Sequence, residues 1–374
     1  MKTHIALVGS QPIPVYLGIK WSGAIDKLIL VCSEQTTSEA KRLAICCKNI
    51  PHEIICCDSV NLHEIEKCAC QIRNQIGEGE IHLNLTSGTK PWTLVFYKTF
   101  SKYLTARFIL VDQNNRIQDL DTHEEYVEHI PTELRFLLYG ARLTHFTKFS
   151  EYTEADIKAM RAVEKQRRNN YSAFNELTVG KNTLHEHECN AQLKDGSFVK
   201  YNQETNTVVL SLYKKYVNHN VEIQLTSPHV ADIVFNSGWF ELKTALELSK
   251  NEHAQDIWLN CEFAAEDNVA KNEIDIVVNM GNKLLCVECK TQVRDITAID
   301  KFNSAIRNFS GTSTKGVFVI NDAPSLRNGI YRRAMEKCKD NNILTFNFGI
   351  YHRNNLLPAL NATINQNLNQ INKR

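Results

Sequence analysis

Three charged side chains lie within apolar segments in the C-terminal third of the chain, and side chains of these types can take part in catalysis. Asp275 lies in a β-branched segment, and Glu288 and Lys290 stand at the end of the next apolar segment. A buried strand carries Asp, Glu or Lys only where the charges are paired or bind a metal ion. Two carboxylates beside an ammonium suit Mg²⁺ or Mn²⁺, and the ammonium could orient a water or stabilise charge on a phosphate. The simpler interpretation is an ion pair on a half-exposed hairpin.

Two predicted strands position these charges. Residues 274–278 and 284–290 are short apolar runs joined by a turn that contains Gly and Asn, which tolerate positive φ. Since side chains alternate along a strand, Glu288 and Lys290 lie on one face, and a hairpin register can bring Asp275 to that face. The sequence therefore predicts a buried hairpin that carries a charge cluster.

The spacing D-x(12)-E-x-K that begins at Asp275 resembles the PD-(D/E)xK nuclease superfamily. Ile274 stands where that motif often has proline, which is a common departure. The resemblance implies metal-assisted phosphodiester hydrolysis, in which Asp275 and Glu288 hold Mn²⁺ or Mg²⁺. It also implies that the backbone carbonyl of Cys289 is a further metal ligand and that Lys290 positions the water or steadies the developing charge.

A predicted helix over residues 237–248 supplies a further acid, Glu241. Its opening, S-G-W-F-E, resembles the G-G-W-L-E motif of nuclease domains that are fused to CRISPR-associated Rossmann sensors. The resemblance implies that Glu241 completes the metal site. The alternatives are that Glu241 is an exposed helical acid or that Glu262 or Glu266 takes its place, with Glu262 the preferred substitute.

The elements around the hairpin agree with the same superfamily. The helix over residues 237–248 is followed by predicted strands at 256–263 and in the hairpin, an amphipathic helix at 295–309 and a buried strand at 316–320. The order α-β-β-β-α-β is that of the PD-(D/E)xK core, which predicts a restriction-endonuclease-like α/β domain.

The N-terminal part alternates short apolar strands with helical stretches. The strands are predicted at 4–8, 27–31, 52–56, 81–85 and 106–111, and the helices at 14–21, 38–48, 61–75 and 91–102. This alternation indicates a Rossmann-like parallel sheet with helices on both faces. No G-x-G-x-x-G follows the first strand, so a dinucleotide cofactor is not indicated.

Ligands of such sheets bind at the carboxyl ends of the strands, and two of these ends are polar here. Ser10 and Gln11 follow the first strand. The candidates after the fourth strand are Asn84, Thr86, Ser87, Gly88, Thr89 and Lys90. This second loop opens a helix, where unpaired N–H groups and the helix dipole favour an anion. The alternative is a plain helix cap by Thr86 or Ser87, and the spacing is not that of a P-loop.

An apolar strand that ends in N-x-T-[GS]-G-T-K before a helix resembles the CRISPR-associated Rossmann-fold (CARF) sensor domain. The resemblance implies a homodimer that binds a cyclic oligoadenylate, here cyclic tetra-adenylate, through the two loops. Asp112, after the fifth strand, is a further implied contact. A ring of phosphates fits a two-fold interface that offers the same loop twice.

The two resemblances together indicate a type III CRISPR ancillary nuclease that cyclic tetra-adenylate activates. It would cleave single-stranded RNA or DNA, or nick duplex DNA. Two alternatives stay open at this point. The chain could be a messenger-binding regulator whose nuclease half is inactive, or a ring nuclease that degrades its messenger at the sensor interface.

The length, net charge and composition of the chain limit which other functions it could have. The 374 residues favour two domains, predicted at 1–130 and 171–374 with a connector at 131–170. The net charge of +1 provides no global basic field, so nucleic-acid contacts must be local. No apolar run approaches a membrane span and the chain enters a strand without a signal peptide, so we expect a cytoplasmic protein without membrane partners. The twelve cysteines are then reduced thiols.

Three further segments are polar or basic. The stretch from His185 to Cys189 could bind metal but is better explained as an exposed strand or loop, since no partner spacing supports a site. The basic run at 165–168 ends a predicted helix and is interpreted as a solvated face. Residues 180–220 are strand-rich without a clear pattern, and a strand is predicted at 221–225.

Overall fold

The computed structural model describes residues 1–178, 188–214, 217–235, 237–264, 271–281, 283–309, 314–321, 329–351 and 359–371. Within these ranges the strands form three sheets of seven, four and six strands. The first sheet is built from the N-terminal part, and the other two come from the rest of the chain. No helix in the described ranges has the length and apolar character of a membrane span.

The strands are β1 (Lys2–Leu7), β2 (Lys27–Cys32), β3 (His52–Cys56), β4 (Glu80–Asn84), β5 (Ala106–Val111), β6 (Arg116–Asp119), β7 (Glu125–Val127), β8 (Arg142–Lys148), β9 (Glu188–Gln192), β10 (Phe198–Asn202), β11 (Thr207–Lys214), β12 (His219–Thr226), β13 (Asp256–Ala264), β14 (Lys271–Asn279), β15 (Leu284–Lys290), β16 (Thr314–Ile320) and β17 (Leu344–Asn347). The helices are α1 (Pro12–Trp21), α2 (Thr37–Cys46), α3 (Leu62–Ile76), α4 (Lys90–Phe100), α5 (Thr132–Leu138), α6 (Glu154–Asn169), α7 (Tyr171–Thr178), α8 (Val230–Phe235), α9 (Gly238–Leu248), α10 (Thr297–Phe309), α11 (Gly329–Asp340), α12 (Phe348–Tyr351) and α13 (Leu360–Ile371).

The N-terminal sheet confirms the Rossmann-like prediction. Its order is β3-β2-β1-β4-β5-β6-β7, and β1 to β5 run parallel. The parallel strands are largely apolar because both faces are covered, by α1, α2 and α5 on one side and by α3 and α4 on the other. The predicted bounds of the five strands and four helices agree within two residues. The short antiparallel strands β6 and β7 were not predicted, because their sequences are mostly polar.

The polar loops of this sheet meet at one edge. Since β1, β4 and β5 are parallel neighbours, their carboxyl ends lie side by side. The Ser87 hydroxyl lies 3.5 Å from the Gln11 carbonyl oxygen, and the Val111 N–H donates to the Thr86 hydroxyl oxygen at 2.7 Å. The loops predicted to bind one ligand are therefore in contact.

The six-stranded sheet has the order β17-β16-β15-β14-β13-β8. The helices α6, α8 and α9 pack on one face, and α10 and α11 pack on the other. The observed order α9-β13-β14-β15-α10-β16 matches the predicted α-β-β-β-α-β core. The segment 131–170, predicted as a connector, contributes β8 to this sheet and α6 to its helical layer.

The four-stranded sheet, of order β12-β11-β10-β9, occupies the region that the sequence left largely unassigned. Its strands are antiparallel, and side chains such as Val199, Leu210 and Leu212 enter the core while most of β12 is exposed. Only β12 was predicted, at residues 221–225. The other three strands were not predicted because strands of this sheet are buried on one face only, so polar residues at outward-facing positions weaken the apolar pattern.

The two halves touch through α5 and the turn between β14 and β15. Arg135 is almost fully buried and donates to the carbonyl oxygen of Gly281. The Asn279 amide donates to the Ile130 carbonyl at 3.2 Å and to the Thr132 hydroxyl at 3.1 Å. The hairpin that carries the candidate catalytic residues is therefore anchored on the N-terminal half.

Candidate active site

The β14–β15 hairpin brings the predicted charges together. The strand register pairs Ile276 with Val287, the neighbours of Asp275 and Glu288. The Cys289 N–H donates to Asp275 Oδ2 at 2.7 Å. The Lys290 ammonium lies 2.5 Å from Glu288 Oε1 and 3.6 Å from Asp275 Oδ2. Two carboxylates are thus bridged by one ammonium, as expected for this spacing.

The neighbouring strand β13 is irregular opposite Asp275. Asn260 has a φ of +53° and is skipped in the β13–β14 pairing, opposite Asp275. Asn tolerates this left-handed conformation better than most residues. Ile274 and Ile276 would share a face of a regular strand, yet they pack into different core clusters. The alternation is therefore broken between Ile274 and Ile276, at Asp275, which lines the cleft described below together with Glu273.

Helix α9 presents the upstream acid. It begins at Gly238, where a Cβ atom would lie only 2.7 Å from the Asp232 carbonyl oxygen, so the close approach to α8 requires glycine. Trp239 and Phe240 are buried in the core. Glu241 follows in the first turn and lines the cleft. The motif S-G-W-F-E therefore combines a tight helix junction, two core anchors and one acid.

The charges of this cluster oppose one another. Burial, followed by the charge of Asp275, raises the pKa of Glu241 well above its ordinary value. The same two causes raise the pKa of Glu288 to about 8. Burial lowers the pKa of Lys290, but the charges of Asp275 and Glu288 outweigh it and raise that pKa. The cluster therefore holds more carboxyl groups than one ammonium can keep ionised, so Glu241 and Glu288 give up their protons reluctantly.

A cleft of about 660 Å³ opens beside the cluster. The charged residues that line it are the acids Asp232, Glu241, Glu262, Glu273 and Asp275 and the bases Arg167, Lys290 and Arg294. Glu288 is not among the lining residues and adjoins the cleft through its ion pair with Lys290. The substitute acid Glu262 lines the cleft, whereas Glu266 lies outside the described residues.

The donor set fits a hard divalent cation in its chemistry. Among the described residues no group of three or more His, Cys, Asp or Glu side chains is already arranged as a metal-ligand set. Glu241, Asp275 and Cys289 nevertheless all line the cleft, and Mg²⁺ and Mn²⁺ prefer oxygen ligands such as carboxylates and backbone carbonyls. A cation would also relieve the repulsion that raises the pKa of Glu241 and of Glu288.

Sequence reasoning missed two basic residues of the cleft, Arg167 and Arg294. The run at 165–168 was interpreted as solvated, but Arg167 is only 9% exposed. Its guanidinium lies 4.5 Å from the Tyr171 ring centre and 5.2 Å from the Trp239 ring centre. The signal was helical spacing, because Arg167 lies four residues after the buried Val163 and seven after the buried Met160 on α6.

In the N-terminal half, Asn84 and Thr86 shape the loop after β4. Asn84 is buried, and its side-chain oxygen accepts from the Thr86 N–H at 3.0 Å and hydroxyl at 2.6 Å. Its amide donates to the Pro14 carbonyl at 3.1 Å. These two predicted ligand residues therefore use their polar atoms inside the protein.

The rest of that loop opens α4. Gly88 has a φ of +87°, and a Cβ atom there would lie 2.6 Å from the Trp92 ring. The Thr89 hydroxyl caps α4 by accepting from the Trp92 N–H at 3.4 Å, and it donates to the Ser59 carbonyl at 2.8 Å. The cap is therefore Thr89 and not Thr86 or Ser87, the residues considered from the sequence. Lys90 is exposed at the first position of the helix.

The other predicted ligand residues differ in exposure. Ser10 is exposed, and the side-chain oxygen of Gln11 accepts from the Tyr139 hydroxyl at 2.8 Å. The Asp112 carboxylate accepts from the Arg116 N–H and from its guanidinium, both at 2.9 Å, which closes the β5–β6 turn. His185 and His187 lie outside the described residues, so the metal hypothesis for that cluster stays a prediction.

Two family models match the chain. Residues 3–135 match the model described as the Card1 CARF domain. Residues 230–320 match the model described as the Card1-like endonuclease domain. No curated protein matches the chain.

Solved structures share the fold over most of the chain. Protein VC1899 from Vibrio cholerae aligns with a TM-score of 0.70 at 16% identity, over 92% of this chain and 94% of that one. Can2 from Sulfobacillus thermosulfidooxidans, solved in complex with cyclic tetra-adenylate, aligns with a TM-score of 0.64 at 19% identity, over 94% and 97%. A type III CRISPR defence DNA nuclease activated by cyclic oligoadenylate aligns with a TM-score of 0.56 at 15% identity, over 88% of this chain and 47% of that one.

Proposed function

The chain joins a CARF domain of the Card1 kind to a Card1-like endonuclease domain, and from this premise we propose that a cyclic oligoadenylate activates it as a nuclease of type III CRISPR defence. The messenger we propose is cyclic tetra-adenylate, the ligand in the Can2 structure. The metal is Mn²⁺ or Mg²⁺, and the substrate is single-stranded RNA or DNA, or duplex DNA that is nicked. The enzyme would act as a homodimer in the cytoplasm.

One observation carries the nuclease proposal. Asp275 and Lys290 meet at one wall of the cleft, and Glu241 faces the same space from α9. A structural ion pair would balance its charges, whereas this cluster buries an excess of acids, in which burial and the charge of Asp275 raise the pKa of Glu241 and of Glu288. Such an excess suits a site that works with a cation and a phosphodiester.

Different residues of the chain would have different roles in the proposed hydrolysis. The groups that would hold the cation are the carboxylates of Asp275, Glu288 and Glu241 and the backbone carbonyl of Cys289. A divalent cation supplies Lewis acidity to the scissile phosphodiester. The Cys289 N–H fixes the Asp275 carboxylate through a 2.7 Å hydrogen bond, so that acid is oriented before any ligand arrives.

Lys290 faces the cleft and is held by two carboxylates. In this position its ammonium can donate to a nonbridging phosphate oxygen or orient the attacking water. The water oxygen bonds to phosphorus, the bond to the leaving oxygen breaks, and the leaving oxygen gains a proton. Arg167 and Arg294 line the same cleft and would neutralise flanking phosphates of the strand.

The loop from Ser87 to Lys90 supports the messenger proposal. In the first turn of α4, Pro91 has no N–H and the Trp92 N–H is capped by Thr89, so the loop N–H groups up to Lys90 are the ones that would bind the anion, and Gly88 lets the backbone approach without a side chain in the way. Lys90 adds an exposed ammonium at the same end. Asn84 and Thr86 would act by holding this loop in place, and Ser10, Gln11 and Asp112 adjoin it.

An exposed apolar stripe supports the homodimer. The apolar stripe on α4 consists of Leu94, which is 69% exposed, and Tyr97, which is 45% exposed. By helical spacing, both lie on the same face of the helix as Lys90. Val60, in the loop that contacts Thr89, is 73% exposed. Pairing two copies across this stripe would bury it and would place two anion loops side by side. A symmetric ring of phosphates fits such a pair.

The test is cleavage of labelled single-stranded RNA, single-stranded DNA and supercoiled plasmid with Mn²⁺. Each reaction is run with and without cyclic tetra-adenylate, using the wild type, Glu288→Gln and the exposed-acid control Glu252→Gln. We expect cutting that requires both the messenger and Glu288. The substrate that is cut identifies the preferred nucleic acid.

Two other outcomes would replace the proposal. If no substrate is cut although the messenger binds, the chain is a regulator with an inactive nuclease half. If the messenger itself is degraded in the presence of a chelator, the sensor domain is a ring nuclease. Mass spectrometry of the messenger after incubation distinguishes these two results.

A further inference from the structure

A second cavity, of about 290 Å³, lies where the two halves meet. The N-terminal half contributes Gln11, Asp112 and Asn115, and the C-terminal half contributes Lys283, Lys315 and Asn342, among others. It is separate from the catalytic cleft, whose lining shares no residue with it. A pocket that both halves build can respond to their relative position.

Two buried lysines are the unusual feature of this cavity. Lys283 is 7% exposed and Lys315 is 8% exposed. In the part of the chain that the structure describes, no carboxylate lies within 4.0 Å of either ammonium. The Lys283 ammonium donates to Asn114 Oδ1 at 3.4 Å, and the Lys315 ammonium lies 2.5 Å from Asn342 Oδ1. Amide oxygens satisfy hydrogen bonds but do not neutralise a buried charge.

The two ammonium groups also repel each other. Burial, followed by the charge of Lys283, lowers the pKa of Lys315 below its ordinary value. Burial lowers the pKa of Lys283, and Asp112 only partly opposes that effect. Asp112 is itself paired with Arg116 at 2.9 Å, so its charge is already shared. Two like charges in one buried pocket are a cost to stability that a bound anion would remove.

The strand register fixes the two lysines at one end of the sheet. Leu285 of β15 pairs with Lys315 of the parallel strand β16, and Lys283 lies just before β15 begins. Both lysines therefore stand at the amino ends of neighbouring strands, and the candidate catalytic Lys290 stands at the other end of β15. The cavity and the cleft are connected by a single strand.

From this arrangement we infer that the cavity between the halves is a phosphate-binding site, in which Lys283 and Lys315 neutralise one phosphate group. The amides of Asn342 and Asn115 line the same space and suit the remaining phosphate oxygens. The phosphate could belong to the messenger, because Gln11 lines this cavity and contacts the β4–α4 loop, or to a separate nucleotide. The first case deepens the proposed function, whereas the second is independent of it.

The experiment measures binding and not cleavage, so its result does not depend on nuclease activity. Thermal unfolding of the full chain is followed with inorganic pyrophosphate, with ATP and with cyclic tetra-adenylate, and affinities are measured by calorimetry. The variants are Lys283→Met, Lys315→Met and the double change, with the exposed Lys301→Met as the matched control. If the double variant folds poorly, the comparison uses the single variants and Lys283→Arg, which keeps the charge.

We expect at least one probe to raise the Tm of the wild type and of Lys301→Met, and to raise that of the double variant far less. The affinity for that probe should fall about tenfold or more in the double variant. Without ligand, the Tm of the double variant should equal or exceed that of the wild type, because two unneutralised charges are gone. A purely structural pair would show the opposite change.

The probes distinguish the source of the phosphate. A loss confined to cyclic tetra-adenylate assigns the cavity to the messenger, and a loss for pyrophosphate or ATP alone assigns it to a second ligand. Equal responses of the wild type and the double variant to all three probes would overturn the inference.

Discussion

The two halves of the chain bury polar groups in opposite ways. In the sensor half, His4 and His82 share the Ser22 hydroxyl at 2.6 and 2.8 Å. Burial lowers the pKa of both histidines, so these groups are neutral at pH 7. In the nuclease half, Lys290 lies 3.6 Å from Asp275 in an ion pair, set among further buried acids such as Glu241, whose pKa burial and the charge of Asp275 raise.

This difference indicates that one cluster mainly serves stability and the other mainly serves function. A neutral, hydrogen-bonded network costs little to bury and holds one conformation. A cluster of buried acids around one ammonium costs free energy and persists where the surrounding fold is rigid enough to hold it. We therefore expect changes in the sensor network to act mainly on unfolding, and changes in the nuclease cluster to act mainly on activity.

The largest effect should come from Asp275→Asn. Messenger-dependent cleavage should fall about a thousandfold or more, because the change removes a carboxylate that would hold the cation at the scissile phosphate. The Tm should stay equal or rise, since Asn keeps an acceptor for the Cys289 N–H and the repulsion with Glu241 ends. Single-turnover cleavage and thermal unfolding measure both, with the exposed Asp340→Asn as control. A variant that lost stability and activity together would break the comparison.

Gly88→Ala tests the sensor half by backbone strain. The change should cost about 2–4 kcal/mol of unfolding free energy, since the residue has a φ of +87° and the new Cβ atom would meet the Trp92 ring at 2.6 Å. That ring cannot move easily, because its N–H donates to the Asp58 carbonyl at 2.6 Å. Gly23→Ala is the matched control, with a φ of +68° and open space around it, and should cost about 1–2 kcal/mol. Urea denaturation compares the two, and equal costs would show that contact with Trp92 is unimportant.

The neutral histidines predict a pH dependence of stability. Burial, and then His82, lowers the pKa of His4 from 6.5 to about 3. The unfolded chain therefore takes up this proton first, so the stabilisation is complete above about pH 6.5 and is lost as the pH falls towards 3. His4 alone should reduce the unfolding free energy by about 1.4 kcal/mol per pH unit in that window.

Denaturation curves at pH 7, 6 and 5 measure this slope. His4→Gln should flatten it, and the exposed His63→Gln should leave it unchanged. The same slope in the wild type and in His4→Gln would contradict the neutral network.

The smallest effect is expected from Lys90→Gln. Lys90 is exposed, so the Tm should not change, while the affinity for cyclic tetra-adenylate should fall about tenfold through the loss of one charged contact. Lys102→Gln, beyond the other end of α4, is the control. Calorimetric titration decides the matter, and an unchanged affinity would remove Lys90 from the messenger site.

Much of the fold was predictable because its local patterns agree with its tertiary contacts. The strand–helix alternation of the sensor sheet follows from burial on both faces, which leaves few ambiguous positions. The hairpin was predictable for a different reason, since charges inside apolar strands require a partner. The two strands 274–278 and 284–290 lie within β14 and β15.

The rest depended on contacts distant in sequence. Asn260 has no special signature, yet it has a positive φ and interrupts the strand pairing opposite Asp275. Lys283 and Lys315 look like ordinary surface lysines until the halves dock and bury them. Glu288 was placed in the site by its motif, but its side chain turns to Lys290 and not onto the cleft wall.

Strand β15 also limits how the chain can vary. Its 7 residues span about 23 Å from the junction of the halves to the catalytic lysine. Because side chains alternate, removing one residue would turn every side chain beyond it to the opposite face. The distance between the two sites is therefore quantised: it can lengthen or shorten only in steps of two residues.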